Sequence, residues 1–193
     1  MKNWKKEILS IPNLLSLFRL ALIPVYILIY LNATNAAGYY LAAAVLAVSC
    51  LTDLIDGKIA RHFNMITTLG KILDPLADKA TQFSLIVCLS VKHPILLYLI
   101  GLFVVKEGFQ LIAGSISLRK GIILKGALLS GKICTTILFV SLILLVMIPE
   151  ISPSAVKIIT VIDMLFMIVA FGDYLLAYFR KESKFQKINE ANE

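Results

Sequence analysis

Histidine and cysteine, the side chains most used to build transition-metal and nucleophilic centres, are scarce in this chain: two and three residues respectively. Cys50, Cys88 and Cys134 stand apart in apolar runs with no C-x-x-C pairing. That argues against a disulfide framework and a zinc site, and the three read as reduced packing residues. Charge is thin as well. Only 16% of residues are Asp, Glu, Lys or Arg, against 59% hydrophobic, and mean hydropathy is +0.88. This balance excludes a soluble domain and points to a polytopic membrane protein, for which 193 residues make a single domain, 1–193. Internal repeats and low-complexity segments are missing. The net charge of +7 reads as Lys and Arg in cytoplasmic loops and contact with anionic lipid, so no nucleic-acid partner is expected. The N-terminal apolar run outlasts the h-region of a signal peptide, contains Arg19 and ends in no A-x-A site, so it reads as a first span.

Against this background residues 52–79, TDLIDGKIARHFNMITTLGKILDPLADK, stand out. They carry four aspartates, Asp53, Asp56, Asp74 and Asp78. One aspartate at the centre of a membrane helix costs roughly 2.5–3.5 kcal/mol, and four together also repel one another. Divalent cations are the economical way to neutralise such a cluster. Asp53 and Asp56 are i, i+3, and Asp74 and Asp78 are i, i+4, so on helices each pair projects from one face. Gly57 and Ala60 leave bare backbone beside the first pair, and Arg61 one turn on is placed to meet a phosphate. The plainer alternative is four aspartates in salt bridges at the membrane surface. Surface charges would not need this periodicity or the interleaved small residues.

The hydrophobic pattern predicts an all-α fold: six transmembrane helices, at about 12–31, 39–58, 72–91, 94–117, 127–148 and 154–179, after a short interfacial helix in residues 1–10. Residues 59–71 read as a connector, Pro75 falls in the first turn of span three, and the charged tail after residue 179 is expected to fray. Six spans put both termini on one side. The N-terminal lysines, Lys58, Arg61, Lys71, Arg119, Lys120, Lys125, Arg180 and Lys181 share that side, whereas the opposite loops offer Lys92 and little else. The positive-inside rule makes it the cytoplasm, with all four aspartates at the cytoplasmic ends of their helices. Arg19, two turns into span one, has two readings: snorkelling to the interface or binding a lipid phosphate.

The run Asp53-x2-Asp56-Gly57-x2-Ala60-Arg61-x8-Gly70-x3-Asp74-x3-Asp78 resembles the signature of the CDP-alcohol phosphatidyltransferases, with all eight fixed positions present. The hydrophobic pattern extends the similarity over nearly the whole chain. The resemblance implies transfer of a phosphatidyl group from a CDP-linked lipid to an alcohol, with release of CMP. It implies two divalent ions, Mg²⁺ or Mn²⁺, held by Asp53, Asp56, Asp74 and Asp78, with Asp78 also the general base toward the acceptor hydroxyl. Asp53, Gly57, Ala60, Arg61 and Gly70 would receive the cytidine nucleotide. Family members are often homodimers, so a homodimer is implied too.

The opening IPNLLSLFR and the block LGKILDPLADK are most similar to phosphatidylglycerophosphate synthases, whose acceptor is glycerol 3-phosphate. Lys106, Arg119, Lys125 and Lys132 are the candidate ligands for that acceptor's phosphate. Two departures favour the alternative, a cardiolipin synthase acting on phosphatidylglycerol. Lys106-Glu107 followed by Gly114 replaces an expected pair of arginines around a glutamate, and Gly131-Lys132-Ile133-Cys134-Thr135 lacks the second lysine of the fifth span. The competing reading of Lys106 and Glu107 is an ion pair with each other or across helices to Asp163. An acidic cluster would also suit a small metal transporter. That reading predicts acids near mid-membrane and paired repeats with interrupted helices, and neither is evident.

Overall fold

The computed structural model describes residues 10–62, 70–119, 122–124, 129–179 and 185–187; side chains at 11–12, 53–54, 56–62, 71–72, 118–119 and in the two short strands are outside the description. The described residues form six helices: α1 (Ile11–Leu31), α2 (Ala36–His62), α3 (Gly70–Lys92), α4 (Leu96–Arg119), α5 (Leu129–Met147) and α6 (Pro153–Phe179). Strands β1 (Ile122–Leu124) and β2 (Phe185–Lys187) form one small ladder. The helices fall where the hydrophobic pattern puts the spans, with boundaries that differ by up to four residues. The expected interfacial helix at 1–10 lies almost wholly outside the described residues.

Among the described residues four helical stretches are long and apolar enough to cross a membrane: Asn13–Leu31, Leu96–Ser117, Leu129–Met147 and Pro153–Phe179. The other two helices are the ones that carry Asp53, Asp56, Asp74 and Asp78. In α2 the apolar part is Ala36–Thr52, and in α3 the charges at Lys71, Asp74, Asp78, Lys79 and Lys92 lower the hydropathy. Acid content and span-like composition therefore trade against each other in the same two helices.

The chain divides into two compact units. The first is Met1–Lys92 with Leu142–Ile151. Within it α1 packs on both α2 and α3. One side of α1 buries Asn13, Ser16, Arg19, Tyr26 and Tyr30, while Leu14, Leu17, Phe18, Val25, Leu28 and Leu31 are exposed, as a helix between protein and lipid requires. Asn32 closes α1: its backbone N–H and its Nδ2 both donate to the Leu28 carbonyl, at 3.2 and 2.7 Å. Asn35 opens α2, its Oδ1 accepting from the Gly38 N–H at 3.0 Å. Glycine is required at 38 because a Cβ there would stand 2.9 Å from Ala33 Cβ. Beyond the turn, Ala42, Leu46, Ala77, Leu85, Ile86, Cys88 and Leu89 are buried. At the far end Lys92 donates to the Pro149 carbonyl, and its Nζ lies 4.7 Å from the centre of the Tyr39 ring.

The second unit is His93–Ser141 with Ser152–Glu193. Here α4 packs on α6. Phe109 is the hub, meeting Phe171, Tyr174 and Tyr178 edge-on with ring centres 5.5, 6.1 and 5.9 Å away. Ser152 caps α6 by accepting from the Ala155 N–H at 3.2 Å, and Pro153 takes the first helical position, where no donor is needed.

Three local expectations are corrected. Residues 59–62 continue α2 instead of joining a loop, because Ile59 and Ala60 are competent helix formers and one glycine does not stop a helix of 27 residues. Pro75 is the sixth residue of α3, past its first turn, because the helix starts at Gly70. The tail does not fray throughout. Phe185, Gln186 and Lys187 pair antiparallel with Leu124, Ile123 and Ile122, an apolar strand edge that charge counting does not anticipate.

Candidate active site

The site is built in the first unit, where α1, α2 and α3 meet. Asp74 and Asp78 sit one turn apart near the start of α3. Two side chains of α1, also one turn apart, reach them. Ser16 Oγ donates to Asp74 Oδ1 at 2.5 Å, and Arg19 Nη1 donates to Asp78 Oδ1 at 2.5 Å. The pairs run in the same direction along both helices, 16 with 74 and 19 with 78, so α1 and α3 are parallel here. The Arg19 side chain is 3% exposed and that of Asp78 is 49% exposed. Arg19 therefore does not snorkel: its guanidinium is buried and donates to an acid of the site.

Asp53, Asp56, Gly57, Ala60 and Arg61 lie on α2 without a break in the helix. The i, i+3, i+4 and i+7 register of Asp53, Asp56, Gly57 and Ala60 places them on one side of it. Their side chains are outside the description, so the meeting of the two acid pairs stays an expectation of the sequence. Gly70 is buried at the first residue of α3. Deeper along the same helices runs a polar seam. Tyr26, Ser49, Thr81 and Ser84, with Leu22, Ile23, Val45 and Leu46, line a small cleft of about 10 Å³, room for one water-sized group. Thr81 Oγ1 donates to the Ala77 carbonyl and Ser84 Oγ to that of Thr81, both at 2.8 Å, so α3 satisfies these buried hydroxyls from its own backbone.

The four cations proposed for the acceptor phosphate belong to the second unit. Lys106 is buried, and its Nζ lies 2.6 Å from Glu107 Oε1. The ion-pair reading of these two residues is thus the arrangement found. Arg119 is the last residue of α4 with its side chain outside the description, Lys125 lies outside the described residues, and Lys132 is exposed in the first turn of α5. Asp163, for which a lysine partner was expected, instead accepts from Ser141 Oγ at 2.9 Å. Its Oδ2 is buried with no hydrogen-bond partner among the described residues.

Sequence reasoning passed over Asn13 and Ser16, which are 1% and 0% exposed. The signal was present: Asn13, Ser16 and Arg19 are the polar residues of an otherwise apolar helix, spaced three apart on one side.

The donor chemistry suits a hard divalent cation. Aspartate oxygens, with a serine hydroxyl beside them, form the all-oxygen set that Mg²⁺ and Mn²⁺ prefer. Among the described side chains no group of three or more His, Cys, Asp or Glu converges. The described side chains supply two carboxylates, Asp74 and Asp78 of α3.

Comparison with known proteins shows the family. The family profile described as CDP-alcohol phosphatidyltransferase matches residues 9–172, and the chain belongs to that family. It is 35% identical over 119 residues to a cardiolipin synthase (CMP-forming) of Streptomyces coelicolor, an alignment covering 60% of this chain and 54% of that protein. It is 31% identical over 121 residues to a probable phosphatidylglycerophosphate synthase of Mycobacterium tuberculosis, covering 62% and 58%. A CDP-diacylglycerol–glycerol-3-phosphate 3-phosphatidyltransferase of Rickettsia bellii is 40% identical over 87 residues, covering 45% and 47%. The chain thus spans about half the length of the curated relatives it matches.

Proposed function

We propose that the protein is a membrane-embedded transferase that moves the phosphatidyl group of CDP-diacylglycerol onto glycerol 3-phosphate, giving phosphatidylglycerophosphate and CMP. The observation that carries this reading is the acid pair of α3, Asp74 and Asp78, one turn apart and each gripped from α1, within a complete eight-position family pattern. The acceptor oxygen attacks the phosphorus that bears diacylglycerol, and the bond from that phosphorus to the CMP oxygen breaks. The acceptor's proton passes to Asp78, whose half-exposed carboxylate can be reached from the aqueous side. Asp53, Asp56, Asp74 and Asp78 would hold two Mg²⁺ or Mn²⁺ ions, which when bound neutralise the pyrophosphate and the leaving phosphate. Asp53, Gly57, Ala60, Arg61 and Gly70 receive the nucleotide, with the two small side chains giving it room. Lys106, Arg119, Lys125 and Lys132 remain the candidate contacts for the acceptor's phosphate, Lys106 only if it exchanges Glu107 for the substrate.

The distribution of basic residues supports six spans with both termini and the site on the cytoplasmic side. A second reading, cardiolipin synthesis with phosphatidylglycerol as acceptor, is favoured by the cations missing at positions 114 and 134 and by the Streptomyces relative's name. One assay separates the two: purified protein with CDP-diacylglycerol, Mg²⁺ or Mn²⁺ and each acceptor in turn, read by CMP release. Release with glycerol 3-phosphate alone supports the first reading, and release with phosphatidylglycerol alone replaces it with the second. Silence with every alcohol rejects both and reopens the transporter.

A further inference from the structure

The family pattern lies wholly within residues 53–78, yet the side chains that grip its acids come from α1. Asn13, Ser16 and Arg19 are all but completely buried in the first half of an otherwise apolar helix. Polar groups so placed are costly unless partnered. For two of them the partners include Asp74 and Asp78. We propose that α1 forms a third wall of the site, with Ser16 and Arg19 as positioning residues that set the orientation of the two carboxylates. The proposal rests on the metal-dependent reading given above and deepens it.

The geometry favours this role over the two that sequence suggests for Arg19. A snorkelling arginine keeps its head in water, and a phosphate-binding one must offer its guanidinium to a solute. Here the guanidinium is buried and the carboxylate it holds is half exposed, so one end of the pair is locked and the other opens outward. A carboxylate has about four lone-pair sites, so one donor on Oδ1 can fix its rotation and still leave capacity for an ion. Ser16 does the same for Asp74 without adding charge. Arg19 also places a positive charge on Asp78, which offsets the repulsion between that carboxylate and the neighbouring Asp74 before any ion arrives. Such outer hydrogen bonds to ligand groups are worth roughly 10–100-fold in metal affinity.

The test is a Mn²⁺ titration of the full chain in detergent, without substrate, followed by the loss of the free-ion electron paramagnetic resonance signal. Wild type is compared with Ser16→Ala, Ser16→Thr, Arg19→Met and Arg19→Lys, each checked for helicity and monodispersity. Ser16→Ala and Arg19→Met are expected to weaken binding by about 10-fold or more. Ser16→Thr, which keeps the hydroxyl, should recover most of it. Arg19→Lys should remain weak, because a flexible point charge does not reproduce the planar fork. If Arg19→Met fails to fold, the Ser16 pair decides the matter. Wild-type binding with Ser16→Ala and Arg19→Met unchanged or tighter overturns this inference and leaves the metal reading standing. Full recovery by Arg19→Lys overturns the positioning role of Arg19 in favour of simple charge. A wild type that binds no Mn²⁺ overturns both readings together.

Discussion

Arg19 on α1 and Asp78 on α3 form an ion pair whose two ends live in different surroundings: a guanidinium 3% exposed and a carboxylate 49% exposed, joined at 2.5 Å. The pair links the first span to the last acid of the family pattern, for which proton transfer is proposed above. It also explains how a charged residue two turns into an apolar helix is tolerated, since an intramembrane charge needs a partner.

Asp78→Asn keeps the shape of the side chain and removes its basicity. Turnover should fall by about 10²–10⁴-fold, the usual contribution of a general base, while CDP-diacylglycerol binding largely persists. CMP release and equilibrium donor binding, measured on the same preparation, check this. Unchanged turnover removes Asp78 from the proton-transfer role.

Chelation should silence the enzyme reversibly. With EDTA in excess, CMP release should drop to background and return on adding Mg²⁺ or Mn²⁺. Activity that survives exhaustive chelation contradicts a divalent-ion site.

The Ser141–Asp163 contact makes a prediction about stability alone. Ser141→Ala strips the hydrogen bond from a buried carboxylate and should destabilise by about 1–3 kcal/mol. Removing both polar groups, with Ser141→Ala and Asp163→Leu together, should restore most of the loss, because no buried charge is then left unsatisfied. Denaturation in mixed micelles reads both, and a double variant worse than the single one refutes the argument.

Gly38→Val should be destabilising by about 1–3 kcal/mol, since even its Cβ meets Ala33 at 2.9 Å and the turn between α1 and α2 must open. Gly101→Ala, where no heavy atom lies within 4 Å of the added Cβ, is the control and should be neutral or slightly stabilising, since alanine suits a helix interior better than glycine. Thermal unfolding of the two variants side by side distinguishes a crowded turn from a general intolerance of helix substitutions.

Much of this protein is legible in its sequence because lipid imposes a simple rule: apolar runs of about twenty residues become helices. That is why α1, α4, α5 and α6 fall where hydropathy puts them. The spacing of Asp74 and Asp78 was equally readable, since i, i+4 on a helix fixes one side. The fate of Arg19 was not readable. Snorkelling, phosphate binding and pairing with an acid all suit a basic residue two turns deep, and only the packing of α1 against α3 selects among them. Ser16 was harder still, since a lone hydroxyl in a membrane helix commonly bonds its own backbone, as Thr81 and Ser84 do. The extent of α2 was misjudged because a cluster of charge reads as a loop, although its residues are good helix formers. The pairing of β2 escaped notice because it depends on a distant apolar edge, Ile122–Leu124, and not on anything within the tail.

That last ladder has a practical consequence. The strand Ile122–Leu124, between α4 and α5, is stitched to the chain some sixty residues later by only three residue pairs. A fluorophore or affinity tag inserted just after α6 would therefore do more than decorate a terminus: it would unzip a cross-link on which that segment leans. Labels for spectroscopy belong downstream of Lys187, where the same attachment could report on the ladder without breaking it.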